Sequence, residues 1–134
     1  MKKNICIVAA NYYPKISKAL IDGASKILKT KGIKNYKLIM VPGVFEIPYV
    51  IKKNINKYDA FLALGCVIKG ETPHFDFISM ASINAIMNLS VTFNKPIANG
   101  IITSLNKKQA LARSSKNNNK GKESAKAVIS LLKI

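Results

Sequence analysis

Four short apolar runs punctuate the chain, at Ile5–Ala10, Tyr36–Val41, Ala60–Ile68 and Pro96–Thr103, each bounded by polar or turn residues. Runs of this length without polar alternation read as strands buried on both faces. The stretches between them carry helical spacing. Ile16, Ala19, Leu20, Ala24, Ile27 and Leu28 recur three and four residues apart and form one apolar stripe. Val44–Ile55 is a second helical segment, despite Pro48 inside it, and Thr72–Phe93 is a third. Leu105–Leu132 divides into a short helix, a break over Ser114–Lys120 and a final helix. Parallel strands need crossover connections, and helices supply them, so four strand–helix alternations imply a parallel sheet. Right-handed crossovers then place helices on both faces. The expected fold is α/β, a three-layer sandwich around a four-stranded parallel sheet.

The third helical segment differs from the others. Residues 71–94 contain no lysine, although an even spread of the chain's 21 lysines would place about four there. Ile78, Met80, Ala81, Ile83, Ala85, Ile86, Met87, Leu89 and Val91 surround the helix axis. A helix apolar on nearly all sides is buried on nearly all sides. One sheet covers one side only, and the simplest cover for the other is a second copy of the chain. The expectation is a homo-oligomer.

At 134 residues the chain is sized for one domain spanning 1–134. The longest early apolar run, Ile5–Ala10, is too short for a signal h-region or a membrane span. Both cysteines lie inside apolar runs and read as reduced, buried thiols of a cytoplasmic protein. The net charge of +16 would suit a nucleic-acid binder, but Arg113 is the single arginine. Specific readers of bases and phosphates rely on the bidentate guanidinium, so no specific nucleic-acid partner is expected. Neither GxGxxG, CxxC nor HExxH occurs, so no dinucleotide cofactor and no metal are expected.

Chemistry is expected beyond the carboxyl ends of the strands, where open parallel sheets bind ligands. Asn11–Pro14 follows the first run, Val41–Pro48 the second, Gly65–Asp76 the third and Thr103–Asn106 the fourth. Four such segments on one rim make a pocket. Thr72 before Pro73 reads as a hydroxyl N-cap followed by proline at the first helical position. The free amides of such a turn favour an anion, with phosphate the natural guess. His74, the only histidine, lies in the same turn and is either a proton-transfer group or a partly exposed polar residue. Glu46 is either a first-turn acid beside a helix dipole or part of a slot with Val44 and Phe45. Arg113 either marks a bidentate phosphate contact or stands there by chance. Cys66 reads as structural, since nothing in the pattern makes it a nucleophile.

The segments Val41–Pro48 (VPGVFEIP), Leu64–Asp76 (LGCVIKGETPHFD) and Asn118–Gly121 (NNKG) closely resemble the 6,7-dimethyl-8-ribityllumazine synthase family, in the same order and spacing over nearly the whole chain. The resemblance implies a flavodoxin-like fold and assembly into pentamers, sometimes packed as sixty-subunit shells. It implies condensation of 5-amino-6-(D-ribitylamino)uracil with 3,4-dihydroxy-2-butanone 4-phosphate, releasing phosphate and water without any cofactor, in a site between neighbouring subunits. By motif, Tyr12 would stack on the pyrimidine, Val44, Phe45 and Glu46 would hold the ribityl chain, and Cys66, Val67 and Ile68 the pyrimidine edge. Asn99 matches a pocket position supplied by the adjoining subunit. Glu71 and Thr72 match the phosphate-binding turn, Arg113 the phosphate-binding arginine and His74 the proton-transfer residue. Riboflavin synthase is the protein partner the resemblance suggests.

Departures from the family pattern are local. Tyr13 stands where the family often has Asn, so Tyr12 and Tyr13 are exchangeable in role. After Arg113 the loop to Gly121 is one residue shorter than usual, which leaves the alignment of Lys116 and Lys120 open. The chain begins almost at its first strand, which leans toward a free pentamer. Two other readings compete with the enzyme: a Lys-driven binder of anionic surfaces, and a flavin or pterin carrier using the same pocket without turnover.

Overall fold

Strand β1 (Ile5–Ala10) is enclosed on both faces and both edges, none of its residues more than 2% exposed, in a computed structural model that describes residues 2–133. It pairs in parallel with β2 (Lys37–Val41) on one side and β3 (Ala60–Ile68) on the other, and β4 (Ile97–Ser104) completes the order β2-β1-β3-β4. The predicted strands are all present; the second and fourth each begin one residue later than the apolar runs suggest.

Helix α1 (Pro14–Thr30) links β1 to β2, α2 (Ile47–Lys53) links β2 to β3, and α3 (His74–Phe93) links β3 to β4. The first crossover moves outward from the centre, and the next two move the opposite way across the sheet. Right-handed crossovers therefore put α1 on one face and α2 with α3 on the other. Side-chain alternation along β1 agrees. Ile5, Ile7 and Ala9 join the core under α1, while Cys6, Val8 and Ala10 join the core under α2 and α3. After β4 the chain forms α4 (Lys107–Ala112) and α5 (Lys120–Leu132), and α5 lies beside α1. No helix among the described residues is long and apolar enough to cross a membrane.

The segment Val44–Ile55 is not one helix. A 3₁₀ turn over Val44–Glu46 precedes α2, and Pro48 falls in the first turn of α2, where its missing amide costs nothing. The predicted Thr72 cap is also corrected. Helix α3 starts at His74 with Pro73 at the cap position, and the Thr72 hydroxyl accepts only a long 3.4 Å contact from the His74 amide. The first good backbone bonds run from Asp76 and Phe77 to the Pro73 carbonyl, at 3.0 and 3.2 Å.

The Asn118–Gly121 motif has a mechanical role. Asn119 is buried and caps α5, accepting from the Lys122 amide at 3.1 Å, while its Nδ2 donates to the Ala19 carbonyl of α1 at 3.1 Å. Gly121 packs directly on the backbone of Leu20, so close that a Cβ would overlap the Leu20 carbonyl. One residue thus ties the two helices and the other lets them touch.

Candidate active site

Three chain segments leave the sheet side by side where the chain first departs from β1 to one side and later returns on the other. Such a switch point is where open α/β sheets form their crevice. Tyr12 and Tyr13 follow β1, Pro42 to Glu46 follow β2, and Cys66 to Ile68 end β3; His74 and Ile78 of α3 close the remaining side. These segments enclose a cavity of about 400 Å³.

The floor is shaped by Gly65. A Cβ there would sit 2.8 Å from Val44 Cγ2 and 3.1 Å from the Ala10 Cβ, so only glycine lets the 3₁₀ turn press onto the strand ends. Val44 is pinned inward by that contact, while Phe45 is turned outward. The Glu46 carboxylate accepts from the Gly43 amide at 2.8 Å through Oε1, which locks the turn that carries it. Tyr12 and Tyr13 meet edge to face, centroids 5.0 Å apart at 79°. Tyr12 is exposed at the mouth, and Tyr13 is the inner ring, packed against the core.

Burial raises the Tyr13 hydroxyl above its ordinary pKa, with smaller contributions from Cys66 and Tyr12. Burial likewise pushes the Cys66 thiol up to about 11. A thiol so raised is protonated at neutral pH and presents a soft apolar wall, not a nucleophile. His74 is exposed on the first turn of α3, where the leading amides lack partners one turn back and favour an anion. No hydrogen bond joins Asp76 to His74 among the described residues, as expected for positions two apart on a helix.

A family model described as 6,7-dimethyl-8-ribityllumazine synthase matches residues 2–134. A 6,7-dimethyl-8-ribityllumazine synthase of Buchnera aphidicola is 43% identical over 139 residues, covering 99% of this chain and 87% of the relative. The enzyme numbered 1 of Rhodopseudomonas palustris is 41% identical, covering 97% and 84%. That of Campylobacter jejuni is 40% identical, covering 97% and 88%. The chain belongs to the 6,7-dimethyl-8-ribityllumazine synthase family.

Of the residues that the lumazine synthase motifs single out, Tyr12, Val44, Glu46, Cys66, Val67, Ile68 and His74 line the one cavity. The others stand apart from it within the chain. Phe45 is on the same turn but faces out, and Glu71 and Thr72 are exposed in the loop before α3. Asn99 is exposed on β4, at the far edge of the sheet, with its Oδ1 accepting from the Ile101 amide at 3.1 Å. Arg113 is exposed at the end of α4, with Nη1 3.4 Å from the Gln109 carbonyl. Tyr13, the alternative to Tyr12, lines the cavity as well, and so do Pro42, Gly43 and Ile78, to which the motifs give no role.

Helix α3 is packed inside out for a lone protomer. Ser79, Ser82 and Ile86 face the interior, the two serine hydroxyls without hydrogen-bond partners. Phe77, Met80, Met87 and Val91 face outward and are exposed, in one stripe along the helix.

Proposed function

We propose that this chain condenses 5-amino-6-(D-ribitylamino)uracil with 3,4-dihydroxy-2-butanone 4-phosphate to 6,7-dimethyl-8-ribityllumazine, releasing phosphate and water. The observation that carries the reading is convergence. Seven residues singled out by motif, from the ends of β1 and β3, the turn after β2 and the start of α3, line one cavity. Tyr12 stacks on the pyrimidine, Cys66, Val67 and Ile68 meet its edge, and Val44, Phe45 and Glu46 hold the ribityl chain. Glu46 keeps one carboxylate oxygen for substrate hydroxyls while the other fixes its own turn. The phosphate lies at the opening of α3, beside Glu71, Thr72 and the guanidinium of Arg113.

The 5-amino group of the uracil attacks the ketone and water leaves to give an imine; phosphate departs; the ribitylamino nitrogen then attacks the remaining carbonyl and a second water leaves as the ring closes. No step demands a nucleophile from the protein. Holding two substrates together supplies most of the rate, and His74 moves the protons. The site is completed by a second copy. The outward apolar stripe of α3 is the seam, and Asn99, remote from its own chain's cavity, is presented to the neighbour's. Residues 1–134 act as one domain in a cytoplasmic homo-oligomer, a pentamer or a sixty-subunit shell, to which riboflavin synthase is a candidate partner. A solution mass measurement separates the two assemblies.

Mixing the purified protein with both substrates and following lumazine fluorescence tests the activity. Steady accumulation supports it; binding without accumulation marks a carrier and overturns it. In that assay His74→Ala should lower turnover about 100-fold, the low end of general acid–base contributions. A folded His74→Ala protein that binds both substrates and yields no product at all would contradict the assigned role. Arg113→Ala should raise the Michaelis constant for the phosphate substrate about 10- to 100-fold, the worth of a charge-assisted contact. Unchanged saturation by that substrate rejects the phosphate assignment.

A further inference from the structure

Charge is divided unequally between the two faces of the sheet. Residues 14–31 and 105–134, which build the α1–α5 layer, hold thirteen Lys and Arg against two acids. Residues 42–58 and 71–94, which build the α2–α3 layer, hold three lysines against three acids. On α1, Lys15, Lys18, Lys26 and Lys29 lie on one exposed stripe with Asp22 between them. That stripe is about 21 Å long at 1.5 Å per residue. Asp22 is already paired with Lys18 at 2.7 Å, so it offsets one cation and leaves the rest. Beside the stripe, Lys26, Lys116 and Lys122 border an open groove of about 230 Å³ between α1 and the loop into α5.

We propose that the α1–α5 face docks nucleic acid through its phosphates, without regard to base sequence. A row of ammonium groups at helical intervals matches a chain of regularly spaced anions. Base reading has no instrument here. The face offers only lysines, since the single arginine, Arg113, is assigned above to the substrate phosphate, and the exposed rings of Tyr12, Phe45, Tyr49 and Phe77 lie on the cavity rim or the α2–α3 side. A lipid surface is disfavoured because the apolar stripe of α1, Ile16, Leu20, Ala24 and Leu28, is already buried in the core and has nothing to insert. The apolar stripe of α3 lies across the sheet, so assembly through α3 leaves the basic face outward.

The test is fluorescence anisotropy of the full-length protein with a labelled 20-nucleotide oligouridylate across a potassium chloride series. Binding should weaken steeply with salt, with a log–log slope of about 0.7 per phosphate contact. A triple variant, Lys26→Gln and Lys29→Gln on α1 with Lys126→Gln at an exposed position of α5, should bind about tenfold or more weakly and lower that slope by about 2. A Lys52→Gln, Lys53→Gln, Lys57→Gln triple on the other face removes the same charge and should change affinity less than about twofold. Replacing the first three lysines by arginine should retain binding, which separates lost charge from lost fold, and thermal unfolding checks each variant. Equal losses from both triples would show a bulk charge effect and overturn the proposal. So would no binding at about 50 mM salt, or affinities for oligouridylate and an oligocytidylate of the same length that differ about tenfold or more.

Discussion

Gly121→Ala is expected to lower the melting temperature by about 10 °C or more, or to abolish soluble expression. Helix propensity alone argues the other way, since alanine inside a helix is better than glycine by about 1 kcal/mol. Packing reverses the sign. The added methyl would overlap the carbonyl oxygen of Leu20, lie 2.8 Å from its carbonyl carbon and 2.9 Å from Asn119 Oδ1. These are backbone atoms and a buried cap, not the free end of a flexible chain. Leu20 is fully buried, so α1 cannot retreat without opening the core. Forcing two helices apart at such a contact costs about 3 kcal/mol or more, against a total stability of about 5–15 kcal/mol. Gly70→Ala is the control, because a Cβ there meets nothing within 4 Å. Thermal unfolding of the two variants checks the claim; a Gly121→Ala protein as stable as the parent refutes it.

Met80→Lys with Met87→Lys should dissociate the assembly and reduce lumazine formation about 100-fold or more, while each protomer stays folded. Both residues are mostly exposed in the protomer, at 65% and 62%, so a lysine there disturbs little packing within the chain. In an assembly built on this stripe each ammonium must leave water at an apolar seam, which costs several kcal/mol per site. Under the proposed assembly activity falls with it, because Asn99 would reach a cavity only in a neighbouring copy. Sedimentation velocity at micromolar concentration and the fluorescence assay read the two effects. A double variant with parental mass and rate removes α3 as the seam, and a monomeric parent does the same.

The strands were legible because strands buried on both faces show as unbroken apolar runs, and Ile5–Ala10 and Ala60–Ile68 coincide with the structure residue for residue. Boundaries slipped where the signal was a proline. Thr72-Pro73 looks like a cap and first turn, yet Pro73 occupies the cap position itself and the Thr72 hydroxyl stands too far away. Pro48 was tolerated because it fell in a first turn, a position visible only once the 3₁₀ turn before it is known. The site was legible where residues leave strand ends: Tyr12, Glu46 and Cys66 belong to segments that topology alone gathers on one rim. Ile78 was not, since an apolar residue one turn into an apolar helix looks like any core position. Tyr13 was legible only as an alternative to Tyr12, because which ring lies inside depends on which way the turn after β1 rolls.

Gly121 and Asn119 show the opposite case. Their motif was visible as a likeness, but its mechanical purpose was not, because the partner atoms lie a hundred residues away on α1. Sequence spacing reports neighbours along the chain and is silent on such distant backbone contact.

The bare backbone of Gly65 has a consequence for how this scaffold can be retailored. The seat of Val44 at the cavity is governed by one absent methyl, since a Cβ at Gly65 would stand 2.8 Å from Val44 Cγ2. Trimming Val44, which lines the cavity, would therefore widen it, whereas a side chain at Gly65 would act only at second hand, by pushing Val44 and its turn off the strand ends.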